Sequence, residues 1–441
     1  LSNLAYVNWT NINDLREIIN DANEAERVPG EREGDLDTLG EKIFQPTAEG
    51  GLGWQIKHFQ PNQPYGFSAT LFEQADTHKK VLAIRGTEPN APGQAYADLL
   101  KADLQGIGEY GMALHQAVEL FNYMQQLLAP AGRKGVMQLQ LTVSLIPPLP
   151  HQAVEDYVTV SSAPPQFIWV KRIYDENLTG LGLLKQGDEV SLTGHSLGGH
   201  LANIALRLFP QLFGNSVTFN APGFDPEVGV SNFAPISIIT SGKKLTEPFI
   251  EKLFAPYLSS PPETFQNLGN RIISMVSEDS SPGNDNSLVS SIITGYSPTP
   301  RQPIITERNS HMVEPIMDTL AIGVLFEQLD ANIGLDGFNA LFSAASASPE
   351  TSEEHLVDAL TKLLLNRTEK LPIKDIKDDP FGKVWISPGD FSKRTPLDNR
   401  TVEIENKIKK LKNSGKTLDL ALLIAQNTEA IVAQAARKDD V

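Results

Sequence analysis

The segment from Glu189 to Phe209 constrains the fold of this 441-residue chain more than any other segment. It reads as a strand over 189–194, a turn with the letters Gly-His-Ser-Leu-Gly-Gly over 194–199, and a helix over 197–209. A strand that turns directly into a helix needs small residues around the turn, because the two backbones pass close together. The segment therefore predicts a sheet edge at which Ser196 is held on a sharp turn.

Strand-like and helix-like segments alternate on both sides of this turn. Strand patterns occur at 66–73, 80–86, 215–221, 235–240 and 271–276, and helical spacing of apolar residues occurs at 104–128 and 312–328. Because such alternation builds a mainly parallel sheet covered by helices, we predict an α/β domain over residues 1–345. Two insertions interrupt it, a proline-rich loop near 129–170 and an amphipathic stretch near 241–268.

The end of the chain has a different character. Residues 343–354 are small and polar, which is typical of a linker. The apolar spacing beyond them predicts helices at 402–412 and 417–436, with Gly415 at the end of the first. We therefore predict that residues 346–441 form a mainly helical C-terminal region.

The charge and composition of the chain indicate which classes of partner it can bind. The formal net charge of −17 disfavours nucleic acid and purely electrostatic docking on anionic membranes, but it leaves hydrophobic docking open. The chain contains no cysteine, which excludes disulfides, thiolate metal sites and a cysteine nucleophile. No apolar run reaches the ~18 residues of a membrane-spanning helix. The chain begins without a leader peptide, and an extracellular location is our expectation; the oligomeric state is not predicted.

Ser196 stands in a Gly-x-Ser-x-Gly pattern. This pattern projects the serine hydroxyl from a sheet and aims a helix N-terminus at it, so that the N–H of Leu197 can stabilise an oxyanion. The alternative is a glycine-rich turn that merely carries a serine. His195 is too close in sequence to act as a base, and His200 lies one turn into the helix. We predict packing or polar-contact roles for both histidines.

Four segments together resemble the class 3 lipase family. They are Val81–Glu88, Asp98–Asp103, Gly194–Gly199 and Thr218–Gly223, within a pattern that covers roughly 60–330. The resemblance implies an α/β-hydrolase fold and a second oxyanion donor at Thr87, with Arg85 anchoring the loop by ion pairing. Without the resemblance, Arg85-Gly86-Thr87 reads as a simple strand-ending turn.

A serine nucleophile needs a histidine base and a carboxylate to orient it, in the chain order serine, acid, histidine. His311 and His355 follow Ser196. His311 is the predicted base, since it lies inside the lipase-like segment just before a helix, as in the family. Asp279 is the predicted acid, because the family places its aspartate on such a turn after a strand. The rival carboxylates are Glu278, Asp285 and Asp225.

These residues predict a serine ester hydrolase that acts on lipids at an oil–water or membrane interface. Triacylglycerol lipase is the leading activity, phospholipase A1 is the alternative, and a catalytically dead interaction module is the alternative of another class. Either 129–150 or 249–258 is a candidate lid, or else plain packing. The acidic cluster around Asp279 is compatible with calcium, but no segment matches an EF-hand loop, so no cofactor is predicted.

Overall fold

The computed structural model describes residues 53–86, 106–152, 154–161, 164–225, 229–233, 236–240, 242–278, 299, 302–306, 314–346, 351–371, 375–379, 382–386 and 396–414. These residues form two compact units, divided between Val276 and Ser277 and again between Gln302 and Pro303. The second unit includes 303–345, which the predicted domain boundary at 345–346 assigns to the first domain. That boundary stays a prediction.

A mixed sheet organises the first unit. Its strands there are β1 (Trp54–Gln60), β2 (Ala69–Gln74), β3 (Lys80–Ile84), β7 (Val190–His195), β8 (Phe213–Phe219) and β11 (Ile272–Glu278), in the order β1-β2-β3-β7-β8-β11. A further strand, β12 (Gln302–Ile305), belongs to the second unit except for its first residue. The pairs β3–β7, β7–β8 and β8–β11 are parallel, whereas β1–β2 and β2–β3 are antiparallel. The predicted α/β architecture is confirmed at this level, with a mainly parallel centre and an antiparallel edge.

Two helices pack beside this sheet, α1 (Leu114–Leu128) and α2 (Leu197–Leu208). Every residue of α2 is buried, because the helix packs against β3, β7 and β8 and also contacts α1. A helix buried on all sides carries apolar or small residues all round. The sequence of α2 meets that requirement except at three buried polar residues, each of which has a hydrogen-bond partner: His200, Asn203 and Arg207.

The prediction of a loop over 129–170 is wrong in part. Residues Lys134–Ser144 (β4) and Gln166–Thr179 (β6) form a long antiparallel ribbon, and β5 (Val158–Val160) pairs with the other edge of β6. The prolines that indicated a loop lie at 147–150 and 164–165, in the connections between these strands. Proline is excluded from paired positions but not from turns, which explains why the strands tolerate it nearby.

The stretch predicted as an insertion at 241–268 follows a separate hairpin. Strands β9 (Gly229–Phe233) and β10 (Ile236–Thr240) pair antiparallel outside the large sheet, because a two-residue connection is too short for a parallel crossover. Helix α3 (Thr246–Phe249) continues as a π turn (Ile250–Phe254) and a 3₁₀ turn (Ala255–Tyr257), and α4 (Phe265–Leu268) follows. Phe249 and Phe254 are fully buried against Tyr110 and Phe121, so the apolar face of this stretch packs into the core.

The second unit contains four helices among its described residues. They are α5 (Glu314–Leu329), α6 (Gly334–Ala345), α7 (Ser352–Leu360), which continues as a π turn (Thr361–Leu365), and α8 (Pro396–Asn413). Their apolar faces meet in one cluster that includes Phe338, Phe342, Leu360 and Ile404. A hairpin of β13 (Asp375–Asp379) and β14 (Gly382–Ile386) was not predicted.

Gly415 and the predicted helix 417–436 lie outside the described residues. None of the helices that are described combines the length and apolarity needed to span a bilayer.

Candidate active site

Ser196 occupies a strained turn between β7 and α2. Its backbone has φ 53° and ψ −131°, a left-handed conformation that a residue with a side chain rarely adopts. The turn is held on both sides: the N–H of Ser196 donates to the carbonyl of Phe219 at 2.9 Å, and its carbonyl accepts from the N–H of Gly199 at 2.9 Å. Strain of this kind persists only where the surrounding structure over-determines it, and it concentrates at functional sites.

Three glycines allow the backbones around Ser196 to pass this closely. A Cβ on Gly194 would lie 2.6 Å from the N of Gly199, and a Cβ on Gly199 would lie 2.7 Å from the Cβ of Ala221. A Cβ on Gly198 would collide with the carbonyl oxygen of Ile84 and lie 2.8 Å from the N of Gly86. Each glycine is therefore required by a backbone or core neighbour, as the sequence pattern predicts.

The carboxyl ends of the four parallel strands β3, β7, β8 and β11 lie at one edge of the sheet. Ile84 pairs with Gly194, His195 pairs with Phe219, and Phe219 pairs with Met275, so β3, β7 and β8 end close together while β11 continues three residues further to Glu278. Ser196 follows β7 directly at this edge. In the chain, Thr87 comes three residues after the end of β3, and Asp279 comes immediately after β11. Thr87, Asp279, Asp285 and His311 themselves lie outside the described residues.

The end of β3 is fixed by Arg85. This side chain is 6% exposed and donates to the amide oxygen of Asn62, while its backbone N–H donates to the carbonyl of Ser68 at 3.0 Å. Arg85 is thus held by a neutral amide, and the ion pair that would anchor the following loop stays a prediction. Asn62 was not singled out from the sequence, because it lies 23 residues away in a loop and no local pattern links it to Arg85.

No family model matches the sequence. No curated protein matches it significantly either. Among solved structures, the chain is similar to the Lip2 lipase from Yarrowia lipolytica, with 12% sequence identity over 64% of this chain and 71% of that one. The TM-score of 0.22 is too low for this likeness to carry an argument about fold or function.

The predicted packing role of His200 is confirmed. Its ring is fully buried and stacks on Phe224 with the centroids 4.2 Å apart. Nε2 accepts the N–H of Ala113 at 3.2 Å, so Nδ1 carries the proton and donates to the carbonyl of Pro222 at 3.2 Å. Burial lowers the pKa of His200 to about 4, which keeps the ring neutral. His195 is also buried, at 3% exposure.

Three of the rival residues lie among those that the structure describes. Oδ1 of Asp225 accepts three hydrogen bonds, from the N–H of Leu245 at 2.9 Å, the N–H of Thr246 at 3.0 Å and the hydroxyl of Thr246 at 3.0 Å. Asp225 thereby ties the start of α3 to the loop at Gly111, whose carbonyl accepts from the N–H of Asp225. His355 lies within α7 of the second unit. Glu278 is the last residue of β11.

A separate cavity of about 530 Å³ lies at the far end of α2 from Ser196, between the ends of α1 and α2 and the base of the ribbon. Its lining includes Leu128, Arg172, Leu208, Phe209 and Tyr257. Since α2 has 12 residues, this cavity is roughly 18 Å from the serine and does not serve it. Within the described ranges, no group of three or more His, Asp or Glu side chains is arranged to hold a metal ion.

Proposed function

We propose that the chain is a serine carboxylic-ester hydrolase of the α/β-hydrolase kind, a triacylglycerol lipase that works through an acyl-enzyme. The observation that carries the proposal is the backbone of Ser196, at φ 53° and ψ −131°, between a parallel strand and a buried helix. A turn of this shape holds a serine oxygen at the sheet edge and points a helix N-terminus at it, and Ser196 itself is 3% exposed. A turn that merely carried a serine would have no need of the strain.

The mechanism assigns one step to each site residue. Ser196 attacks the ester carbonyl while His311 accepts its proton, and His311 then returns that proton to the departing alcohol. Asp279 orients the imidazole and stabilises its charged form. The N–H groups of Leu197 and Thr87 stabilise the oxyanion, and water hydrolyses the acyl-enzyme in a second, equivalent pair of steps.

Chain order and sheet topology support these partners. Leu197 is the first residue of α2, where backbone N–H groups have no intrahelical acceptor. Asp279 directly follows β11, which is parallel to β8 and β7, and carboxyl ends of parallel strands share one edge of the sheet. The assignment of Thr87 and His311 rests on the resemblance to class 3 lipases and on their order around Ser196.

Covalent labelling tests the nucleophile. A fluorophosphonate probe should label the intact chain at Ser196, and Ser196→Ala should abolish both labelling and turnover of a p-nitrophenyl ester. A chain that is folded by circular dichroism yet neither takes the label nor hydrolyses the ester would be a dead scaffold, which is the alternative of another class.

Paired variants test the acid and the base. Asp279→Ala and His311→Ala should each lower kcat about a thousandfold or more while leaving the unfolding midpoint nearly unchanged. Asp225→Ala and His355→Ala are the matched controls. Asp225→Ala should instead reduce stability by about 2 kcal/mol, because it leaves two backbone N–H groups without an acceptor, and should keep most of kcat. The reverse pattern would make Asp225 the catalytic acid.

Substrate class is tested by comparing fatty-acid release from emulsified triacylglycerol and from phosphatidylcholine. Faster release from the triacylglycerol is expected. A preference for phosphatidylcholine with release from the sn-1 position would establish phospholipase A1, the second candidate, with the same catalytic residues.

A further inference from the structure

The end of the ribbon that carries residues 143–157 exposes an unusual amount of apolar surface. Five side chains form what we call the tip patch, with exposed fractions between 39% and 63%: Val143, Leu145, Ile146, Leu149 and Tyr157. They lie at one end of the three-stranded sheet, where Val143 pairs with Ile168 and Ile168 pairs with Val158. Contiguous exposed apolar surface in a soluble chain marks a contact surface.

The tip patch lies in a segment without charge. Residues 135–154 contain no Asp, Glu, Lys or Arg, although 21% of the chain is charged. Charged residues resume on either side, at Arg133 and Lys134 and at Glu155 and Asp156. The patch is therefore an apolar surface with a charged border, and Tyr157 stands at that border with an amphipathic ring suited to a lipid headgroup region.

The backbone N–H groups of residues 146–150 are either absent or paired within the tip. Pro147, Pro148 and Pro150 have no N–H group. The N–H of Ile146 donates to Oγ of Ser144 at 3.1 Å, and the N–H of Leu149 donates to Oε1 of Gln152 at 2.6 Å. Residues 146–150 thus leave none of their own N–H groups to be satisfied by solvent. This favours insertion among acyl chains, where a backbone donor without an acceptor is costly, and is not needed at a wet protein interface.

The ribbon is held firmly behind the tip. Asn122 of α1 makes reciprocal hydrogen bonds with Leu139, donating to its carbonyl at 2.9 Å and accepting its N–H at 2.7 Å. Lys252 bonds the carbonyl of Tyr157 at 3.4 Å and pairs with Asp156. The tip patch is therefore presented on a fixed support, which limits the entropy lost when it binds.

We infer that the tip patch docks the protein on a lipid surface of zwitterionic headgroups, with Leu145 and Ile146 inserted among the acyl chains. The net charge of −17 repels an anionic surface, and the uncharged tip matches one without net charge. The inference deepens the proposed function, on which it rests, by naming the element that meets lipid. It places no lid over Ser196 and assigns the tip no chemical step.

Vesicle flotation with phosphatidylcholine tests the docking, and it is performed in the Ser196→Ala background so that no lipid is hydrolysed. Replacing both Leu145 and Ile146 by Asp should lower the partition coefficient at least about tenfold, because two apolar side chains can no longer leave water. Val324→Asp is the matched control, since Val324 is also apolar and 49% exposed but lies on α5 of the second unit. Equal binding of all three proteins would overturn the inference.

A labelled cysteine gives an independent readout, because the chain has no cysteine of its own. An environment-sensitive fluorophore on Ile146→Cys should shift to the blue with phosphatidylcholine vesicles, and the same fluorophore on Val324→Cys should not. If sedimentation instead shows that the double Asp variant converts a dimer to a monomer, the tip patch contacts a second copy and the inference fails. Turnover of a soluble p-nitrophenyl ester should be unchanged in the double Asp variant of the active chain. The docking inference and the proposed ester hydrolysis can therefore each be disproved without the other.

Discussion

At the scale of single residues, the strain at Ser196 has a cost that can be measured. A backbone at φ 53° and ψ −131° is disfavoured by about 1–3 kcal/mol for a residue with a Cβ and is open to glycine. The protein therefore holds this serine in place at the expense of stability. A loss of stability of this kind is expected where catalysis needs a hydroxyl group at one fixed position.

Ser196→Gly should be more stable than Ser196→Ala by about 1 kcal/mol, because both variants lose the hydroxyl and only glycine relaxes the backbone. Chemical denaturation of the two variants measures the difference directly. Neither should take the fluorophosphonate label. An alanine variant at least as stable as the glycine variant would mean that the turn is not strained.

His200 makes the stability of the protein depend on pH. Its pKa is about 4 in the folded state against 6.5 for a free histidine, so the unfolded chain binds more protons between these values. The contribution is therefore complete above pH 6.5 and is lost as the pH falls toward 4. The neutral ring, donating to Pro222 and accepting from Ala113, is the form that the fold requires.

We expect His200→Gln to remove this dependence, since a glutamine amide can also donate to one carbonyl and accept one N–H. Between pH 7 and pH 5 the wild-type chain should lose about 2 kcal/mol more than the variant in its free energy of unfolding. Denaturant titrations at the two pH values provide the comparison. An identical loss in both proteins would show that His200 is not the group that titrates.

At the scale of elements, the contact of α2 with the end of β3 decides whether the site can assemble. Gly198 is the point of closest approach, because the backbone of Ile84, Arg85 and Gly86 lies where its Cβ would be. Neither backbone can yield without breaking the pairing of β3 with β7. The end of β3, which the resemblance predicts to lead into an oxyanion loop, thus requires that residue 198 of α2 has no Cβ.

Gly198→Ala should destabilise the protein by about 1–3 kcal/mol or more and lower kcat as well, since the ends of β3 and α2 are forced apart. Gly214→Ala in β8 is the matched control, because its Cβ would lie 3.7 Å from the carbonyl oxygen of Val190, an ordinary contact. Unfolding midpoints and ester turnover of the two variants are compared. Similar behaviour would show that α2 and β3 are less tightly packed than the structure indicates.

At the scale of the whole molecule, the net charge of −17 should control which lipid surfaces the chain can approach. Flotation should be weaker with vesicles that contain phosphatidylglycerol than with pure phosphatidylcholine. Salt should restore binding to the anionic vesicles, because the Debye length falls to about 10 Å at 0.1 M and screens the repulsion. Binding that is strongest on anionic vesicles and weakened by salt would point to an electrostatic docking site instead.

The sequence by itself determines the elements that depend on residues close together in the chain. The strand, turn and helix around Ser196 follow from a β-rich run, three glycines and an apolar helical stretch within about twenty residues. The parallel centre of the sheet follows from the alternation of strands and helices. For these elements, the local pattern along the chain is sufficient to predict the kind and order of strand, turn and helix.

Tertiary structure decided the features that depend on residues far apart in the chain. The sequence predicts a loop over 129–170, whereas β4 and the start of β6 fall in this range, and these long strands are stabilised by each other and by Asn122 rather than by their own alternation. Asp225 is a rival for the catalytic acid in the sequence, and only the tertiary structure shows its carboxylate bonded to Leu245 and Thr246. The buried face at 249–257 belongs to the core because α1 lies against it. Long-range pairing of this kind carries no periodic signal in the sequence, and it fixes which polar groups support the fold and which apolar side chains remain exposed.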